Sequence, residues 1–128
     1  MPRSVAVDGC GGTLRDEASF HYKSFLNNRL IKIGACTIWL KVENGLLIGD
    51  MEPCTEEQLD AVLEQLQKLA KKLGINEITF QFIPHSVLDA ALKKRLPVYE
   101  SWAIGYKNYA SDIPLDKLRF PYGDLDTF

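Results

Sequence analysis

The side chains of this chain that could do chemistry stand apart from one another. His85 follows Pro84 at the end of an apolar run. Strand ends often place ligands in α/β sheets, and an imidazole titrating near neutrality could act there as a base; the plainer reading is a loop histidine with no special role. His21 lies in an amphipathic stretch and reads as structural. Cys54 stands where a helix begins, and a helix N-terminus lowers a thiol pKa. Glu52, Glu56 and Glu57 beside it oppose that, which leaves an inert, half-buried thiol as the plainer expectation. Asp124 and Asp126 read either as a pair for a divalent cation or as two solvated carboxylates. Trp39 and Trp102 fall on outward strand positions. They could mark a homodimer surface or a ligand wall, and packing against a helix explains them as well.

Asp8-Gly9-Cys10-Gly11-Gly12-Thr13 follows the short apolar piece Val5-Ala6-Val7. It resembles the haloacid dehalogenase pattern in one aspartate and a Gly-Thr pair. The second aspartate is missing, Cys10 stands in its place, and the spacing is one residue too long. The lysine of a phosphate-binding loop is also absent. The segment is expected to be a flexible turn.

Composition narrows the function classes. The 128 residues carry 15 Lys+Arg against 17 Asp+Glu, a net charge of −2, with 46% hydrophobic residues. That is the balance of a folded domain and not of a disordered or collagen-like chain. The length suits one domain, residues 1–128. The acidic pI of about 5.7 argues against a general nucleic-acid binder. No apolar run is long enough to span a bilayer, so no membrane partner is expected. Cys10, Cys36 and Cys54 are odd in number and include no Cys-x-x-Cys pair. Neither a metal site nor a disulfide framework is expected, and the thiols read as reduced in a cytoplasmic protein.

The elements that would position these residues follow from periodicity. Residues 15–28 read as a helix, with Phe20, His21, Phe25 and either Leu14 or Ala18 on its buried face. Residues 37–42 alternate, with Ile38, Leu40 and Val42 on one face and Thr37, Trp39 and Lys41 on the other. Asn44-Gly45 signals a tight hairpin turn, and the strand returns as Leu46–Met51. Residues 30–33 either start that hairpin earlier or form a preceding strand. Thr55 and Gln58 make a capping box for a helix to Leu73. Leu59, Val62, Leu63, Leu66, Leu69, Ala70 and Leu73 form its apolar stripe, and Gly74 ends it. Residues 75–83 predict a strand, Ser86 a cap, 87–96 a second helix and 98–110 a further strand region. The apolar residues of 118–128 predict a tail that packs down. The sum is an α+β fold: a mixed sheet flanked by helices, in three layers.

From residue 37 onward this order resembles the GNAT superfamily of acyl-CoA N-acyltransferases. The likeness runs through the hairpin, the central strand Leu46–Met51, the helix at 55–73, the strand at 75–83 and the helix at 87–96. Val98-Tyr99-Glu100 followed by Gly105-Tyr106 is loosely similar to a segment of that family. The resemblance implies acetyl-CoA as cofactor and transfer of its acetyl group to an amine, on a small molecule or a peptide. It implies that Glu52, or Asp50, removes a proton from the amine and that Tyr99 protonates the departing thiolate. It further implies that Ile48, Gly49, Asp50, Met51, Thr55 and Ser86 bind the cofactor.

One departure opens a second expectation. The family places a glycine-rich, pyrophosphate-binding loop after the central strand. Here that position reads Glu52-Pro53-Cys54-Thr55-Glu56-Glu57, with no glycine and three carboxylates where phosphate would sit. The rival to an acetyltransferase is therefore a non-catalytic binding or dimerisation module on the same fold. A third reading is one portion of a larger acyltransferase. The discriminating feature is whether free backbone amides converge on one anion-sized space or side chains fill it.

Overall fold

The computed structural model describes residues 1–101, 103, 109–125 and 128. It is an α+β arrangement of helices on a four-stranded mixed sheet, in the order β1-β2-β3-β4. The strands are β1 (Asn28–Ile33), β2 (Cys36–Val42), β3 (Leu46–Met51) and β4 (Ile78–Phe80). β1–β2 and β2–β3 are antiparallel, and β3–β4 is parallel. A short turn, α1 (Ser4–Val7), and α2 (Glu17–Ser24) precede the sheet. α3 (Glu56–Leu73) crosses from β3 to β4, and α4 (Val87–Lys93) follows. Two 3-10 turns, Leu115–Lys117 and Tyr122–Asp124, lie in the C-terminal tail.

The long helix forms as its sequence dictates. Thr55 accepts from the Gln58 amide while Gln58 accepts from the Thr55 amide, the reciprocal capping box. Glu56 and Glu57 at its start and Lys71 and Lys72 at its end complement the dipole. Leu59, Val62, Leu66 and Ala70 are buried against Ile38, Leu40, Leu46, Ile48 and Met51 of the sheet, while Leu73 is exposed. Each fully buried aliphatic side chain contributes about 1.5–3 kcal/mol. This is the main core.

The other face of the sheet carries a second core. Trp39, Tyr122 and Phe128 are buried there, with Met1, Phe20, Leu30, Leu47 and Leu125 around them. The Phe128 ring meets Trp39 edge-on at 5.2 Å and Tyr122 at 5.1 Å. The tail therefore packs down as expected, and Trp39 is core and not a dimer surface. Trp102, its suggested companion, lies outside the described residues.

A β-bulge decides which face holds which residue. Leu40 pairs with Ile48, but Trp39 pairs with Asp50, so Gly49 is the extra residue on β3. Simple alternation from Leu46 and Ile48 would aim Asp50 at α3. The bulge instead sends Met51 into the α3 core and turns Asp50 to the Trp39 face.

Other expectations need correction. The first helix is only Glu17–Ser24 and buries none of its residues; Leu14 and Phe25 are exposed. For residues 30–33 the second alternative holds: they belong to a strand of their own, Asn28–Ile33, joined to β2 by a two-residue turn at Gly34-Ala35. The Asn44-Gly45 turn is a three-residue loop, because Val42 pairs with Leu46. The strand expected over 75–83 is limited to Ile78–Phe80, where β3 supplies partners. The helix expected over 87–96 ends at Lys93. Val98, Tyr99 and Glu100 have no regular structure, and Ile104, Gly105 and Tyr106 lie outside the described residues. The glycine turn is pinned, since Gly11 exchanges backbone hydrogen bonds with Lys117 and Arg119.

Candidate functional site

β3 and β4 pair only through Leu46–Ile78, Leu47–Thr79 and Ile48–Phe80. Beyond that, Gly49 to Met51 run on without a β4 partner. This is where the resemblance expects the cofactor, and here side chains occupy the space. A Cβ added at Gly49 would lie 2.4 Å from the Phe128 ring and 2.9 Å from Gly123 Cα. Ile48 and Met51 turn their side chains into the α3 core. The Met51 amide donates to Asp50 Oδ1 at 2.9 Å. Both of these features remove backbone from the reach of a bound molecule.

Asp50 belongs to a buried ionic cluster. Arg15 Nη1 lies 2.5 Å from Asp50 Oδ2, and Arg15 Nε lies 2.7 Å from Asp124 Oδ1. Arg15 Nη1 also donates to the Pro2 carbonyl, and the Ser4 amide donates to Asp50 Oδ2 at 3.2 Å. The guanidinium stands 5.2 Å from the Trp39 ring centre, within cation–π range. Burial pulls the Arg15 pKa down, but hydrogen bonding to Asp124 and the two carboxylates outweigh it and raise it. Burial pushes the Asp124 carboxyl up against the opposing pull of Arg15. Arg15 Nη2 and Asp124 Oδ2 find no partner among the described residues. The cluster joins the N-terminal segment, β3 and the tail. Asp126, the proposed cation partner of Asp124, lies outside the described residues. No group of three metal-ligating side chains occurs among the described residues.

The loop after β3 is closed on itself. Glu52 Oε2 accepts from the Thr37 amide at 2.7 Å, and the Glu52 amide donates to Thr37 O at 2.9 Å. The Thr37 amide holds the Glu52 carboxyl below its ordinary range, the opposite direction from a base poised near neutrality. Thr55 and Ser86 spend their hydroxyls as caps, accepting from the Gln58 and Asp89 amides. Glu56 is held by Lys94 and Arg95, and Asp60 by Arg95. At the α3 N-terminus the Thr55 and Gln58 amides are thus taken by the cap, and the nearby cations Lys94 and Arg95 are taken by Glu56 and Asp60.

An open cleft of about 440 Å³ lies elsewhere, along the outer edge of β4. Leu47, Phe80, Phe82, Leu92, Leu96 and Tyr122 give it an apolar lining. The Phe80 and Phe82 rings stack 5.8 Å apart. Tyr99 also lines it and is 83% exposed. Glu77, Asp89 and Glu100 bring carboxylates to it, and Lys93 brings the only cationic side chain among the described lining residues. Lys93 is paired with Asp89 at 2.7 Å, which leaves Glu77 and Glu100 without a cationic partner among the described residues.

The structure therefore separates the expected residues. Tyr99 lines the cleft; Glu52, Ile48, Gly49, Asp50, Met51, Thr55 and Ser86 do not line it. His85 is exposed in a turn at φ +67°, its amide donating to Asp89. Sequence reasoning missed the Arg15 cluster and the β4 cleft. Gly49 inside a strand was the available signal for a bulge. No helix among the described residues is long and apolar enough to cross a membrane. No protein-family model, curated protein or solved structure matches the chain.

Proposed function

We propose that this chain is a non-catalytic binding module with GNAT-like strand order, whose β4 cleft takes an organic amine with an apolar body. The observation that carries this reading is the occupied end of β3. Phe128 and Gly123 fill the space beside Gly49, the Glu52 carboxylate is held by the Thr37 amide, and the Thr55 amide and the Glu56 carboxylate are held by the cap and by Lys94 and Arg95. The amine follows from the cleft itself. Phe80, Phe82 and Tyr99 line it with aromatic rings, whose faces attract cations, and Glu77 and Glu100, without a cationic partner among the described residues, supply negative charge to the same cleft. The partner is then a small-molecule or peptide amine.

A second reading, an N-acetyltransferase using acetyl-CoA, has one observation in its favour. β3 and β4 are parallel, are joined by a helix and part after Ile48, leaving Gly49 without a β4 partner. That reading requires Phe128 to leave the Gly49 site. Amide NMR of the labelled chain tests the choice, with phenethylamine as the amine probe and phenylacetate as the charge-reversed control. The binding-module reading expects saturable shifts at residues 77–82 and 92–101 with the amine alone. Shifts with the acid and none with the amine contradict it.

A further inference from the structure

Two thiols remain that neither the cleft nor the ionic cluster uses. Cys36 is the first residue of β2 and is buried. Cys54 lies in the loop between β3 and α3 and is half-buried. Seventeen residues lie between them in sequence, yet the fold brings them to one core cluster. Glu52 and Thr37 hold each other through two hydrogen bonds, which fixes the loop against the start of β2. The Cys36 thiol donates to the Glu52 carbonyl at 3.3 Å, and Cys54 is two residues further on. Both side chains pack in the core cluster under α3, where each thiol affects the ionisation of the other. Among the described residues no third metal-ligating side chain completes a site there. Two neighbouring thiols with no third ligand among the described residues have one characteristic reaction, two-electron oxidation to a disulfide.

We infer that Cys36 and Cys54 are a reversible dithiol–disulfide pair, oxidised by a hydroperoxide. Cys54 reacts first. It is the more accessible of the two, and Cys36 is pushed up to about 12 by burial and by Cys54. At Cys54 burial also raises the pKa, but there the Cys36 contact and Arg95 pull the other way, whereas at Cys36 the neighbouring thiol adds to the rise. The Cys54 thiolate attacks a peroxide oxygen, the O–O bond breaks, and hydroxide leaves and takes up a proton as water. Cys54 is now a sulfenic acid. The Cys36 sulfur attacks it, the S–O bond breaks, and water leaves with the Cys36 proton. Two thiols have lost two electrons and the hydroperoxide has gained them. The product ties the first residue of β2 to the entry of α3 and spans the whole β2–β3 hairpin. A dithiol reductant reverses it. Cys10 lies apart, its thiol directed to the Asp8 carbonyl, and serves as an internal control.

The test is peptide mapping of the full chain after exposure to hydrogen peroxide, with free thiols alkylated under denaturing conditions. The expected result is one linked peptide pair, Cys36 to Cys54, in a monomer about 2 Da lighter, restored by dithiothreitol. Cys10 is expected to stay out of the bridge. In Cys36→Ser, Cys54 is expected to be trapped as a sulfenic acid by dimedone. Full alkylation of both Cys36 and Cys54 after peroxide treatment, or a bridge that includes Cys10, overturns the assignment. The wild-type map decides the matter even where a cysteine variant folds poorly.

Discussion

The Arg15 guanidinium lies 2.5 Å from the Asp50 carboxylate, with 3% and 0% of the two side chains exposed. Asp124 holds the same guanidinium from the tail. A charge trio sealed from solvent is poor evidence of net stability, but breaking one is costly. Arg15→Met would leave two buried carboxylates unpaired and is expected to lose about 3–5 kcal/mol in urea unfolding at neutral pH. The loss should shrink as pH falls, because protonation removes the unpaired charges. Arg15→Lys should also destabilise, since an ammonium cannot reach both carboxylates as the planar fork does.

Gly49 is required for close approach, not for turning. An added methyl meets the Phe128 ring at 2.4 Å and Gly123 Cα at 2.9 Å. Gly49→Ala is expected to lose about 1–3 kcal/mol by overpacking. Because Phe128 rests on Trp39, tryptophan emission should shift to the red if the tail is displaced. In a double-mutant cycle with Phe128→Ala, the combined loss should be smaller than the two single losses added. Strict additivity would place the clash elsewhere.

Glu52 gives a pH dependence of known sign. The Thr37 amide holds its carboxyl below the ordinary value of 4.5 in the folded chain. The unfolded chain binds that proton more readily, so the contribution is present above pH 4.5 and lost as pH falls through the lowered folded value. Stability curves for wild type and Glu52→Gln should therefore converge on acidification. Asp124 works against this slope: its raised folded pKa gives stability present below its ordinary 3.8 and lost as pH rises through the raised value.

Thr55 closes the reciprocal cap of α3. Thr55→Ala is expected to lose about 1 kcal/mol in thermal or urea unfolding. A much smaller loss would mean that the helix start is held mainly by the Glu56 ion pairs with Lys94 and Arg95.

The sequence was most readable where local chemistry acts alone. The Thr55–Gln58 box, the stripe from Leu59 to Ala70 and the Gly74 end all lie within one helix, and each appears where periodicity placed it. The Ser86 cap follows the same logic. What escaped depends on residues far apart in the chain. The Asp50 orientation follows from one extra residue at Gly49, which no alternation rule carries. Arg15 gains its role only when residues 2, 50 and 124 meet around it. The catalytic expectation for Glu52 treated a strand-end carboxylate as free, whereas the neighbouring strand offers it an amide at Thr37. The β4 cleft needs residues from β3, β4, the segment after α4 and the tail, so no single stretch announces it.

The proposed function has the chain bind an amine at β4 and not acetyl-CoA at the end of β3. Calorimetry on the purified chain tests both halves in parallel, with phenethylamine in one titration and acetyl-CoA in the other. The expected result is a saturable signal for the amine that is lost in Glu77→Gln/Glu100→Gln, and no heat for acetyl-CoA at millimolar concentration. Micromolar binding of acetyl-CoA, unaffected by that double substitution, would contradict it and restore the acetyltransferase reading.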